Sequence, residues 1–127
     1  MSPRYVPTLQ PMLPFEEFES DLAVSPSDDL KVDDPLYFMS FGSGSSGNCC
    51  YIGTKRGGIL VDAGVKTEEL VRRLASNGIS MSSVKALLLT HDHSDHVRYA
   101  YNIVRNHKHI RLFCTNRVLG GILRRHS

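Results

Sequence analysis

Three of the six histidines fall within the six residues His91-Asp92-His93-Ser94-Asp95-His96. In an extended segment alternate side chains point the same way. His91 and His93 can therefore direct two imidazoles at one point, as a metal ion requires, while Asp92 points elsewhere. Asp95 and His96 follow as the chain turns into a helix, and can face a second point a few ångströms away. A ring near a helix N-terminus is held neutral by the helix dipole, and neutral imidazole is the form that ligates metal. Imidazole combined with carboxylate suits zinc first, with manganese or iron as alternatives. A solvated loop of clustered histidines is the bland alternative, and the ligand-like spacing argues against it. His107, His109 and His126 lack such a context and read as surface histidines.

The elements around this segment must hold it in place. Val84–Leu89 is a near-continuous apolar run, as expected of a strand covered on both faces. After the motif, Val97, Ala100, Tyr101 and Val104 recur at helical spacing. The histidines thus sit between a buried strand and a helix, where α/β folds place ligand sites. Upstream, Leu36–Phe41 and Cys49–Gly53 read as strands, with the small polar loop Gly42–Asn48 between them. Lys55-Arg56-Gly57-Gly58 reads as a hairpin turn leading into a third strand, Ile59–Asp62. Thr67 is placed to cap a helix with Glu68 and Glu69 in its first turn, and Gly78 to end it. Ile110–Cys114 is a further strand and Asn116–Arg125 a further helix. The order is a hairpin, then β-α-β-α-β-α, so the fold class is layered α/β.

Composition divides the 127 residues in two. Residues 1–35 hold eight acids, two bases and all six prolines, for a net charge of −6. They read as an acidic, proline-bearing, poorly ordered N-terminal extension. Residues 36–127 hold five acids and thirteen bases, for a net charge of +8. Such a balance is compatible with a polyanionic substrate. No apolar run is long enough to span a membrane and no signal-peptide pattern is present. Three cysteines, two of them adjacent, argue against a disulfide scaffold, so a cytoplasmic location is expected.

The motif His91-x-His93-x-Asp95-His96 resembles the signature of the metallo-β-lactamase-fold hydrolases. Ile59-Leu60-Val61-Asp62-Ala63-Gly64 resembles the first motif of that family. Phe41–Cys49, with its Gly/Ser-rich loop, is similar to a bacterial branch linked with the cell-wall two-component regulator and read as exonuclease-like. The resemblance covers residues 37–127. It implies that His91 and His93 bind one zinc ion and Asp95 and His96 a second, with two ions in the full domain. It also implies that a hydroxide bridging the metals attacks an ester or phosphodiester, nucleic acid being one such substrate. Asp95 and Asp92 are candidates for proton transfer. Asp62 is the candidate that holds the metal loop through hydrogen bonds, and Ser45, Ser46 and Asn48 are candidates for a substrate loop.

The family also takes a further His, a bridging Asp and a final His from later segments, whereas no Asp or Glu occurs after Asp95. The expectation is therefore the N-terminal half of a metallo-β-lactamase-type αββα sandwich, a mixed sheet with flanking helices over residues 36–127, inactive alone. The competing expectation is a non-catalytic nucleic-acid-binding or interaction module with a vestigial metal site.

Overall fold

The computed structural model describes residues 35–44 and 47–126. The acidic extension, apart from Pro35, and the loop residues Ser45 and Ser46 lie outside the described residues.

One mixed sheet organises the chain. Its strands are β1 (Tyr37–Gly42), β2 (Cys49–Thr54), β3 (Gly57–Val61), β4 (Val84–Leu88) and β5 (Arg111–Phe113), and they lie side by side in sequence order. The β1–β2 and β2–β3 pairs are antiparallel, and β3–β4 and β4–β5 are parallel. Between β2 and β3 the turn is only Lys55-Arg56, as the glycines after it indicate. Parallel pairing needs a crossover. Helix α1 (Thr67–Ser76) and a short 3-10 turn (Met81–Ser83) supply it between β3 and β4. Helices α2 (Ser94–Val97) and α3 (Ala100–Asn106) supply it between β4 and β5, and α4 (Asn116–Arg125) follows β5.

Register decides which side chains meet. Tyr51, Leu60, Leu87 and Leu112 are cross-strand neighbours on one face of the sheet. They pack in a single core with Leu70 and Leu74 of α1, Ile103 and Val104 of α3, and Val118 and Ile122 of α4. Leu60, Leu70, Leu74 and Leu87 are wholly buried, each worth about 2 kcal/mol of transfer free energy. The opposite face carries Cys50, Ile52, Ile59, Val61, Leu88 and Phe113, all half-buried, with Phe38 exposed.

Two local expectations need correction. Thr67 does not cap α1: Lys66 occupies that position, and the Thr67 hydroxyl is buried without a hydrogen-bond partner. The other end behaves as expected, since Gly78 at φ 77° allows its own N–H and that of Ile79 to reach Ala75 and Leu74.

The second correction concerns the helix after the motif, which is split into α2 and α3. The cause is competition for backbone groups. The carbonyl of His96 accepts from Ala63 N at 2.6 Å, and Tyr99 N donates to the Ala63 carbonyl at 2.9 Å. The carbonyl of Asp95 accepts from Asn48 N at 2.7 Å. Each of these groups would otherwise serve the next helical turn. Among the described residues no helix is long and apolar enough to cross a membrane.

Candidate metal centre

The motif occupies the connection from β4 to α2, at the carboxyl end of the parallel strands. The carboxyl end of β3 lies alongside, because Asp62 N donates to the Leu88 carbonyl at 2.7 Å. Asp62 is buried and adopts a positive φ of 65°, a left-handed conformation that Asp tolerates better than most residues. Its carboxylate therefore turns towards the motif. One oxygen accepts from Thr90 N at 2.9 Å, and the Thr90 hydroxyl lies 2.8 Å from the other. That second oxygen also lies 2.7 Å from Nδ1 of His96. A carboxylate only accepts, so Nδ1 of His96 carries a proton, and in the neutral ring the lone pair lies on Nε2.

His91 is fixed in the same manner. Its Nδ1 lies 2.8 Å from the Thr90 hydroxyl. That hydroxyl donates to Asp62, so it accepts from His91 Nδ1, and in the neutral ring the lone pair again lies on Nε2. The three rings gather: the His91 centroid is 4.6 Å from that of His93 and 3.9 Å from that of His96. Asp95 adds a carboxylate 3.6 Å from Nε2 of His96. Among the described residues no group of three His, Cys, Asp or Glu side chains forms a finished metal-holding arrangement. The donor chemistry nonetheless fits a metal ion, since two imidazoles held through Nδ1 keep Nε2 for a ligand bond when neutral, and a carboxylate stands beside them.

The other candidates separate clearly. Asp92 points away from the rings, as alternation requires. Its carboxylate pairs with the guanidinium of Arg125 and sits against the backbone of Gly121, where a Cβ would collide with it. Arg125 also donates to the Asp92 carbonyl at 3.2 Å. Asn48 ties the Gly/Ser loop to the motif. Its Nδ2 donates to the Asp95 carboxylate at 3.0 Å and to the Gly44 carbonyl at 2.7 Å. Gly64 completes this seam, because a Cβ there would run into the Asp95 carbonyl.

His109 is spoken for by the Met81 carbonyl at 3.0 Å. His126 stacks on Tyr101 with ring centroids 4.3 Å apart. Burial and the neighbouring His109 hold His107 below the usual histidine range. All three cysteines are free. Burial, with the charges of Cys50 and Asp62 adding, pushes the Cys49 thiol up to about 12.

Two contributors escaped the sequence reading. Thr90 bridges Asp62 and His91, and its only signal was its place directly between the strand and the first histidine. Arg125 lies 33 positions from Asp92, and nothing local in the sequence connects them.

The site can be set beside known proteins. A family model described as the metallo-beta-lactamase superfamily matches residues 42–112. A protein named exodeoxyribonuclease YycJ from Bacillus anthracis is 36% identical over 63 residues, covering 50% of this chain and 24% of that protein. One named exodeoxyribonuclease WalJ from Streptococcus pneumoniae is 32% identical over 88 residues, covering 63% and 33% respectively. The chain thus spans a third or less of the length of these curated relatives. Among solved structures, a B3 metallo-beta-lactamase with an active site glutamic acid aligns with a TM-score of 0.55 and 22% identity, over 91% of this chain and 41% of that one. That alignment shows the mixed sheet with helices to be part of the same fold. The family match spans more than half of the chain, from the end of β1 through the histidine motif to β5, so this chain belongs to the metallo-beta-lactamase superfamily.

Proposed function

We propose that the chain carries the metal-ligating part of a metal-dependent phosphodiester hydrolase of the exodeoxyribonuclease type. The observation that carries this reading is the gathering of His91, His93 and His96 at the strand ends, with Nδ1 of His96 held by Asp62. The names of the relatives supply the substrate class, DNA. In this reading His91 and His93 hold one ion, Asp95 and His96 hold a second, and zinc is the first choice. Bound zinc would supply Lewis acidity and bring the pKa of water towards neutrality.

The residues of the chain have distinct tasks. Asp62 and Thr90 hold Nδ1 of His96 and of His91, which leaves Nε2 of each neutral ring for a metal. Asn48 holds Asp95, whose carboxylate stands beside His96 and is the better placed of the two motif acids to move a proton. Asp92 is committed to Arg125 and acts by positioning the loop.

A second reading is favoured by one observation, the lack of a finished three-donor arrangement among the described residues. In it the chain is a nucleic-acid-binding module with a partial metal site. Both readings predict weak zinc binding that disappears in the His91→Ala, His93→Ala double variant. Retention of binding in that variant would overturn the ligand assignment. Chelator-sensitive release of nucleotides from labelled DNA separates the two readings, tested on the chain and on longer products that contain it. No chelator-sensitive turnover of DNA, small phosphodiesters or thioesters would sink the hydrolase reading.

A further inference from the structure

The donors of the candidate metal centre are not held alike. Thr90 holds the His91 ring, Asp62 the His96 ring and Asn48 the Asp95 carboxylate, each by a hydrogen bond. The exposed His93 ring touches His91 edge-on, and among the described residues it has no hydrogen-bond partner. Its direction is therefore set by the backbone. His93 is extended, at φ −102° and ψ 145°. On its far side the His93 carbonyl accepts from His96 N and Val97 N, at 2.8 and 3.0 Å. On its near side stands Asp92.

Arg125 grips Asp92 at two points. It donates to the Asp92 carboxylate, and to the Asp92 carbonyl at 3.2 Å. The carboxylate also rests on Gly121, which precedes Arg125 by four residues and so shares its face of α4. The Asp92 carbonyl lies in the planar peptide that ends at His93 N. Fixing that carbonyl fixes the direction in which the chain enters His93. With Asp92 laid on α4, alternation turns His91 and His93 to the opposite side. Helix α4 is itself anchored. Val118, Leu119 and Ile122 lie in the core, Thr115 caps the first turn, and His126 stacks on Tyr101 of α3. The planar fork of arginine can serve carboxylate and carbonyl together, which a single ammonium does less well.

We infer that Arg125 is a positioning residue for His93, acting through Asp92 and the peptide that joins them. This role rests on the ligand assignment of the proposed function and adds to it a residue outside the motif on which one donor depends. Charge alone makes the opposite demand. Without Arg125 the Asp92 carboxylate stands uncompensated beside the centre, and Coulomb attraction would tighten the binding of a cation. Loss of positioning loosens it, so the sign of the change separates the two effects.

The test is the zinc affinity of the full chain, read by competition with a chromophoric chelator. Arg125→Gln is expected to weaken zinc about tenfold or more, as loss of a residue that orients a ligand does. Arg117→Gln, the same charge change at an exposed position of α4, is expected to stay within about twofold. A double-mutant cycle locates the effect. In a His93→Ala background the remaining ion is the one assigned to Asp95 and His96, and Arg125→Gln is expected to cost less than about twofold. In a His96→Ala background it is expected to cost its full amount. Equal losses in the two backgrounds would mean general loosening and overturn the inference, as would unchanged or tighter zinc in Arg125→Gln. Should a background bind no zinc, the sign of the change in the parent chain decides. Should thermal melting show Arg125→Gln unfolded, Arg125→Lys takes its place in the cycle, with a loss of about threefold expected. Zinc affinity untouched by His93→Ala would overturn the ligand assignment and the inference with it. The expected cycle without chelator-sensitive turnover would sink the hydrolase reading and leave the role of Arg125 standing.

Discussion

Nδ1 of His96 lies 2.7 Å from the buried carboxylate of Asp62, 34 residues earlier in the chain. This contact joins the end of β3 to the first turn of α2 and selects the tautomer that leaves Nε2 open. It rests on an unusual backbone: Asp62 at φ 65° turns its carboxylate inward while its own N–H reaches across to β4.

Substitution at Asp62 should separate charge from backbone. Asn tolerates the left-handed conformation, so Asp62→Asn is expected to fold while weakening zinc binding about 10- to 100-fold. Asp62→Ala loses the same acceptors and adds a backbone penalty of about 1 kcal/mol or more. Zinc titration and thermal melting of both variants check this. Equal stability of the two would show that the φ at residue 62 carries no cost.

The neighbouring glycines of α4 should respond in opposite directions. Gly121→Ala places a methyl group in the space of the Asp92 carboxylate and is expected to cost about 1–3 kcal/mol through overpacking. Gly120→Ala meets open space apart from Arg124 and is expected to stabilise by up to about 1 kcal/mol. Urea unfolding of both variants measures the difference. A neutral Gly121→Ala would mean that Asp92 is not lodged against α4.

Thiol chemistry offers a probe of burial. Cys49 is pushed up to about 12 and Cys114 to about 11, in each case chiefly by burial. Burial, with the charge of Asp62 adding, also raises Cys50. At pH 8 the Cys49 thiolate fraction is on the order of one part in ten thousand, and the thiolate is the nucleophile. Ellman's reagent is therefore expected to label Cys49 last and very slowly in the folded chain. All three cysteines should react quickly in guanidinium. Fast labelling of Cys49 without denaturant would contradict the packing of β2.

His107 makes stability depend on pH. Burial and His109 lower its pKa from the ordinary 6.5. Above that value the ring is neutral folded or unfolded, and contributes nothing. As pH falls below it the unfolded chain takes the proton first, so stability is lost. His107→Gln is expected to flatten this loss in melts followed from pH 7.5 to 5. An unchanged pH profile in the variant would assign the loss to other groups.

The sequence by itself determined the local elements and supplied the donor residues of the proposed chemistry. The spacing of His91, His93, Asp95 and His96 named the donor types, because alternation in an extended segment is a local property. The apolar run before the motif, the glycine-marked hairpin and the periodicity of α1 and α4 likewise placed those elements to within a residue or two. Only the tertiary structure decided how the donors are held. The split between α2 and α3 depends on Ala63 and Asn48 capturing the backbone groups of Asp95, His96 and Tyr99. The orientation of His96 depends on Asp62, that of His91 on Thr90, and the seat of Asp92 on Gly121 and Arg125. Apart from the Thr90–His91 contact, these partners meet across long sequence separations and compete with local hydrogen bonds, and a local pattern cannot show which bond wins.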